Sequence, residues 1–430
     1  MTSSRRGIVA GVGGVLVAGC LAAQAPFQVT LPEAVRRALD VQPAVIQARG
    51  AMSTAGWQRR AAFGAFLPTV TLNSSAFRQN TPSFVNGFPA AQGTYQYSTG
   101  VTASVDLFTG FRRLASFRGA DATEDAADAG LVNQRYQVTA ATAQLFFTAL
   151  ANEELVRVAQ AQVQRTKEER QIAVNKFQAG AATRSDTLTA TVDLGNAQLA
   201  LLQAQANLAS AQANLARQIG VDSSVRAVAD SQLPSLPDTI GLRAGALQRA
   251  PLVAQALAQE RVASATLLSS RSQYWPTLTA SYTTSSQGLT EPWQGFDGGN
   301  RNLNQLRIGL SWTLFNGFQR EQLVDQSAVA LDVAQAQAAD ARRQLSAQLT
   351  QQLAALFTAD AQIGIAGANV AAAAEAARVQ QERYRLGAST LLDLFTAQAN
   401  LTQAQVSRVQ ARFNYLVAFA QLEALVGHPL

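Results

Sequence analysis

The stretch TYQYSTGVTASVDLF, Thr94 to Phe108, alternates almost without interruption. Tyr95, Tyr97, Val101, Ala103, Val105 and Leu107 fall on one side, and Gln96, Ser98, Gly100, Thr102, Ser104 and Asp106 on the other. A period of two places the two faces of a strand in different environments. Further along, Leu306, Ile308, Leu310, Trp312 and Leu314 alternate with Gln305, Arg307, Gly309, Ser311 and Thr313 in the same way. Each run has a shorter partner, Thr69 to Phe77 and Thr277 to Thr284. A soluble sheet with one face on a core would show this pattern too. A membrane barrel adds requirements: strands of about 9–11 residues, apolar outside, polar inside, with aromatics near the ends. Tyr95, Tyr97, Trp312 and Phe315 fit such a girdle. The connections Arg78 to Gly93 and Ser285 to Leu303 are rich in Gly, Pro, Asn and Gln, as the longer surface loops of a barrel are.

The two alternating runs belong to two copies of one pattern. Pro43 returns as Pro251, and Leu67-Pro68-Thr69 as Trp275-Pro276-Thr277. Leu107-Phe108-Thr109-Gly110-Phe111 returns as Leu314-Phe315-Asn316-Gly317-Phe318. Phe177, Gly180 and Asp186 return as Tyr384, Gly387 and Asp393, and Ile219-Gly220 as Val426-Gly427. The offset is about 208 residues before the strands and about 207 after them, and so many landmarks at one spacing mark an internal duplication. The first copy covers residues 27–222, the second 239–427. The joint at 223–238 holds Pro234, Pro237 and several serines, which is loop chemistry.

Helices fill the rest. Thr30-Leu31-Pro32-Glu33 has the spacing of a capping box, so a helix is expected to start there, run to Val41, break at Pro43 and resume to about Ala65. After strands 69–77 and 94–108, a proline-free segment from Arg112 to about Gln178 predicts a helix about 100 Å long. The second copy repeats this after strands 277–284 and 304–315, from Gln319 to about Leu386. Gly180 and Gly387 mark turns, and shorter helices return to Gly220 and Gly427, giving hairpins over 112–219 and 319–426. Leu194, Leu201, Leu208 and Leu215 recur every seven residues, as in a coiled-coil seam. The Pro43 helix stacked on the return helix would match the long helix in length, so a cylinder of paired helices is expected.

Composition narrows the function. Charged residues are 14% of the chain, well below the roughly 25% of soluble proteins. The net charge of +6 comes almost wholly from arginines scattered along the helices, so the clustered basic face of a nucleic-acid binder is missing. One cysteine and one histidine, Cys20 and His428, leave no disulfide, no Cys/His metal cluster and no plausible triad. No nucleotide loop is present either, so no enzyme and no cofactor are expected. Arg5 and Arg6 precede an apolar run from Gly7 to Gly19, the pattern of a signal peptide over 1–19. That run is too short for a spanning helix, and no later segment reaches the apolarity of one. Val17-Ala18-Gly19-Cys20 resembles a lipobox, so lipidation at Cys20 is favoured over plain cleavage after Ala25, where Pro26 would follow the scissile bond.

Strands in lipid must close into a barrel, because no edge can stay unpaired there. Four strands per chain cannot close; two chains give eight, whose interior side chains fill, and three give twelve, which leaves a lumen. The expected fold is an α+β membrane protein: a trimeric twelve-stranded transmembrane β-barrel continued by a long α-helical barrel.

At this point the residues resemble the TolC-like outer-membrane efflux proteins over nearly the whole mature chain. The motifs are Leu31-Pro32-Glu33-Ala34-Val35 with Ala38-Leu39 and Pro43; Phe66-Leu67-Pro68; Asp106-Leu107-Phe108-Thr109-Gly110; and Tyr384-Arg385-Leu386-Gly387 with Leu392-Asp393. Any one is weak; their doubled order is specific. The resemblance implies a homotrimer in the outer membrane, with its helices in the periplasm, docked onto a periplasmic adaptor and an inner-membrane transporter. It implies an exit duct of a tripartite efflux system; the alternatives are a channel for type I protein secretion or, from another class, a periplasmic coiled-coil scaffold without a pore. It implies closure near the turns at Gly180 and Gly387, which would also contact the adaptor. Asp393 matches a constriction-ring aspartate, whose bland alternative is helix capping. Asp186 matches an aspartate linked to a tyrosine, which matches Tyr384. The family's second ring aspartate is Thr396 here, and the arginine that helps lock the closed state in the best-known member is Ser389.

Overall fold

The computed structural model describes residues 27–78, 84–85, 88–89, 95–228, 233–237, 242, 245, 250–288, 301–428 and 430. The signal segment 1–19, Cys20, and parts of the inter-strand loops and of the joint lie outside them.

The first half opens with a short strand, β1 (Phe27–Val29), then α1 (Leu31–Val41) and α2 (Pro43–Gly64). Thr30 precedes α1, but its side chain makes no cap. Pro32 sits in the first turn, and Glu33 accepts instead from the Nε and NH2 of Arg37 at 3.1 Å, so the expected capping box is absent. Then come β2 (Thr69–Arg78), the two-residue strands β3 (Phe84–Val85) and β4 (Phe88–Pro89), and β5 (Tyr95–Thr109). The long helix α3 (Arg112–Gln178) and its return α4 (Arg184–Ile219) follow, then β6 (Val225–Ala227). The second half holds α5 (Pro251–Arg271), β7 (Thr277–Gly288), β8 (Arg301–Ser311), α6 (Gln319–Arg385) and α7 (Leu391–Val426). The two long helices are 67 residues each and the two returns 36 each.

The strands β2, β5, β7 and β8 form one antiparallel sheet in that order, so β2 and β8 are its edges. Strand β8 ends at Ser311 rather than at Phe315. Its last partner on β7 is Thr277, and Pro276 before that residue has no N–H with which to extend the ladder. Trp312 and Phe315 therefore lie beyond the strand. Strand β5 continues to Thr109 past a bulge between Asp106 and Phe108. A parallel pair, β1 with β6, joins the head of the first copy to the joint between copies.

Strand passes to helix twice through successive left-handed residues, Gly110-Phe111 and Gly317-Phe318, with φ of 60°, 69°, 68° and 65°. Positive φ in a phenylalanine is a strained position. Each such ring packs edge-on against an earlier one: Phe111 on Phe108, and Phe318 on Phe315, both at 5.5 Å. Gly110 allows no side chain, because a Cβ there would lie 2.5 Å from Ser272 O.

The helices pair lengthwise. Helix α3 packs against α2, α4, α5 and α7, and α6 against α5 and α7. At mid-height Phe146 and Leu150 of α3, Leu215 and Ile219 of α4, Phe413 of α7, and the β1–β6 pair form one core. Leu349, Leu353 and Leu356 of α6 meet Tyr415, Phe419 and Leu422 of α7 in a second, where Tyr415 Oη donates to Pro234 O at 2.7 Å. Much of the remaining buried surface is alanine, which lets backbones approach closely. Alanine also lifts one stretch of α6 to the apolarity of a spanning helix, contrary to expectation. At about 100 Å, that helix is several times longer than a bilayer core.

Candidate functional site

Two parts of the molecule are candidates for function, the sheet and the hairpin tips. On the sheet, register places Val70 and Leu72 beside Ala103 and Val101, those beside Tyr282 and Thr284, and Tyr282 beside Leu306. Ala280 pairs Ile308, and Leu278 pairs Leu310. One face is thus apolar across all four strands, and Val70, Leu72, Leu306, Ile308 and Leu310 each leave about two thirds of their surface open. The opposite face is polar and bonds to itself: Thr69 Oγ1 lies 2.8 Å from Ser104 Oγ, and Thr102 Oγ1 3.1 Å from Thr283 Oγ1.

Aromatic residues mark both ends of the sheet. At the loop end Tyr95 and Tyr97 stack at 6.1 Å, with Arg78 over the Tyr95 ring. At the helix end Trp312 and Phe315 are exposed, and Trp312 Nε1 donates to Tyr274 O at 3.2 Å. Phe111, Phe318 and Trp275, which the alternation pattern does not reach because they lie outside the strands, extend this collar.

The tips are built alike. Gly180 and Gly387 take φ of 73° and 78° just past the long helices. Ala181 N–H donates back to Lys176 O, and Ala388 N–H to Arg383 O, closing a six-residue loop that satisfies the helix end. Nothing lies within 4 Å of where a Cβ would sit on either glycine, so the conformation alone demands them. The next helices start with true capping boxes. Thr183 Oγ1 accepts from Asp186 N–H at 3.2 Å, and the Asp186 carboxylate accepts from Thr183 N–H at 2.9 Å. Thr390 and Asp393 repeat this at 3.2 and 3.1 Å, and Thr390 Oγ1 also donates to Asp393 at 2.7 Å. The aspartates are therefore third-position partners of threonine caps. Bonds from Thr390, side chain first and then backbone, hold the Asp393 carboxyl below the usual carboxylate range, helped by Arg383.

Asp393 also lines a groove of about 730 Å³ with Thr396, Asn400, Gln403 and Ser407. Thr396 Oγ1 is turned back onto Leu392 O at 2.9 Å, so this row offers one carboxylate followed by neutral polar groups. Ser389 Oγ reaches Gln380 O at 3.5 Å.

The two tips differ in packing. Tyr384 is buried with Leu391 and Leu394, against Ile172 of α3, while its counterpart Phe177 is exposed. The Asp186–Tyr384 link expected from the resemblance is not formed. The carboxylate of Asp186 is engaged by its cap, and Tyr384 Oη is buried with no partner among the described residues. Burial, then the charges of Asp186 and Glu169, push the Tyr384 phenol up. Lys176 Nζ instead donates to Tyr384 O and sits 4.1 Å from the ring centre.

The sequence pattern gave no notice of Glu169. It is 1% exposed on α3, close to Asp193 of α4 and Tyr384 of α6, and neither carboxylate oxygen has a partner among the described residues. A single glutamate on a helix reads as a solvated side chain, and only tertiary packing reveals it.

The model of the family described as "Outer membrane efflux protein" matches this chain twice, over residues 34–221 and 242–428. The chain is 24% identical over 377 residues to the probable efflux pump outer membrane protein TtgC of Pseudomonas putida, covering 84% of this chain and 75% of that protein. Its fold resembles that of the Campylobacter jejuni CmeC outer membrane channel, with a TM-score of 0.81 at 19% identity over 92% of this chain and 85% of that one. It also resembles that of the outer membrane protein VceC of Vibrio cholerae, with a TM-score of 0.80 at 17% identity over 93% and 96%.

Proposed function

The chain belongs to the outer membrane efflux protein family, and from that premise we propose that three copies close into an exit duct for a tripartite efflux system. The protein resides in the outer membrane with its helical part in the periplasm, and it is not an enzyme. The observation that carries the trimer is the four-stranded sheet with one exposed apolar face, one polar face and two unpaired edges. In lipid the edges β2 and β8 must find partners, and the polar face calls for water inside. Twelve strands from three chains meet both demands. The exposed row Leu188, Val192, Leu199 and Leu202 on α4 would be covered by a neighbouring copy.

The tips at Gly180 and Gly387 would form the rim that meets a periplasmic adaptor, which couples the duct to an inner-membrane transporter. Asp393 from three chains would make one carboxylate ring, attracting cations and repelling anions, with Thr396 supplying a neutral second ring. Cys20 would carry a lipid anchor. The efflux-pump names of the relatives favour efflux over type I secretion, and the apolar sheet face disfavours a pore-free scaffold.

Planar-bilayer recording on purified protein, with its mass in detergent, tests this reading. We expect a trimer that conducts. A protein that stays monomeric, or never conducts at any voltage, refutes the duct.

A further inference from the structure

In one chain the α3–α4 hairpin and the α6–α7 hairpin meet along α3 and α7. Near the tips this seam is apolar, with Ile172 of α3 against Tyr384, Leu391 and Leu394. Glu169 stands three residues before Ile172, on the same side of α3, and is buried there.

The surroundings offer it no counter-ion bond. On α3, Arg165 is the cation whose charge acts on it, but its NH2 donates to Thr402 Oγ1 of α7 at 3.2 Å and its Nε has no partner among the described residues. Glu168 on the same helix adds negative charge. From α4, Asp193 faces Glu169 and is itself pushed up by burial. From α6 the facing group is the buried Tyr384 phenol, with Lys176 engaged on that residue's carbonyl and ring. Helix α7 has no charged residue between Asp393 and Arg408. At the duplicated positions the second copy carries Ala372, Ala376 and Asn400 where the first has Arg165, Glu169 and Asp193. The first copy alone carries these three charged groups.

We infer that Glu169 is a proton-binding site in the seam between the two hairpins, and that the bound proton keeps the seam shut. A buried carboxylate without a partner is stable only when neutral. Burial pushes the Glu169 carboxyl up to about 8, with Asp193 and Glu168 adding to the rise and Arg165 opposing it. Parting the hairpins would admit water and lower it toward the ordinary value of 4.5. The closed form thus holds the extra proton. Its advantage over the parted form is full in acid, falls by up to about tenfold per pH unit as pH rises toward the closed-form value, and is gone above about 8. In the duct proposed above, on which this consequence rests, acid would keep the tips together and alkali would loosen them.

Spin labels at Ala181 and Ala388, the exposed residues of the two tips, measure the separation directly in a Cys20→Ser background. We expect a short distance at pH 6 and a longer one at pH 9, with Glu169→Gln short at both. A distance that does not change with pH, or a Gln variant that still separates, overturns the inference. Infrared difference spectra between wild type and Glu169→Gln at pH 6 supply a second readout that needs no label. A protonated-carboxyl band lost in the variant supports the site, and the absence of such a band overturns it. Neither measurement requires a pore, so failure of the duct and failure of the proton site are distinguishable.

Discussion

Gly427 ends α7 with φ of 77°, and a Cβ there would lie 2.6 Å from Cδ and 2.9 Å from Cγ of Pro251, the first residue of α5. Replacing Gly427 with Ala therefore incurs two costs. A non-glycine residue in the left-handed region costs about 1–2 kcal/mol. Forcing a methyl against a buried proline ring adds an overpacking cost of about 1–3 kcal/mol. Gly387→Ala incurs only the first, since nothing lies within 4 Å of its Cβ position. The expected difference between the two variants is about 1–3 kcal/mol, which for a chain of this size is a few degrees in melting temperature. Circular dichroism melts in detergent, run on both variants at one protein concentration, measure it. Pro251→Ala removes the ring, so the extra loss at Gly427 should shrink in the double variant. Equal melting of Gly427→Ala and Gly387→Ala, or full additivity with Pro251→Ala, would refute the end-to-end abutment of α7 on α5.

Other outcomes are expected from the same geometry. Asp393→Asn should reduce the cation preference of the pore, read as a shift in reversal potential under a salt gradient. Because the Asp393 carboxyl is held low, the preference present at neutral pH should persist as pH falls to the ordinary carboxylate value and vanish only below it. Thr390→Val should move that loss to higher pH; an unchanged titration would count against the cap as its cause. Leu72→Arg, on the apolar face, should cost roughly 2–4 kcal/mol if it sits at mid-membrane, whereas Asn73→Arg on the polar face should be tolerated; trimer yield in outer membranes reads the contrast. Cys20→Ser should abolish labelling with radioactive palmitate, and labelling that persists would reject the lipobox.

The long helices were legible because their ends carry local chemistry. Proline-free runs closed by Gly180, Gly220, Gly387 and Gly427 place the hairpins within a residue or two of where they lie. Alternation located the strands of the sheet for the same reason, since a period of two is a property of neighbouring residues. What the sequence did not disclose depends on contacts between distant segments. The β1–β6 pair joins a three-residue strand at the head of the first copy to one in the joint after it, both too short to carry a pattern. Strand β8 shortened because Pro276, on its neighbour, ends the ladder. Thr30 and Glu33 have the spacing of a capping box, yet Arg37 one turn on takes the carboxylate. Phe177 and Tyr384 occupy equivalent places, and only the packing of α3 on α7 decides which of them is buried.

The matched lengths of the hairpins constrain how such a chain can change. One residue inserted into α6 alone would lift its tip by about 1.5 Å and turn every later side chain by about 100°. The Tyr384 contacts with α3 and the Gly387 turn would then fall out of phase with their neighbours. Seven residues restore the phase to within about 20° and add about 10 Å. Insertions and deletions should therefore survive only in seven-residue steps made together in α3, α4, α6 and α7. Relatives in this lineage would then differ in periplasmic reach by discrete increments, and aligned gaps in the four helices would appear and disappear as a set.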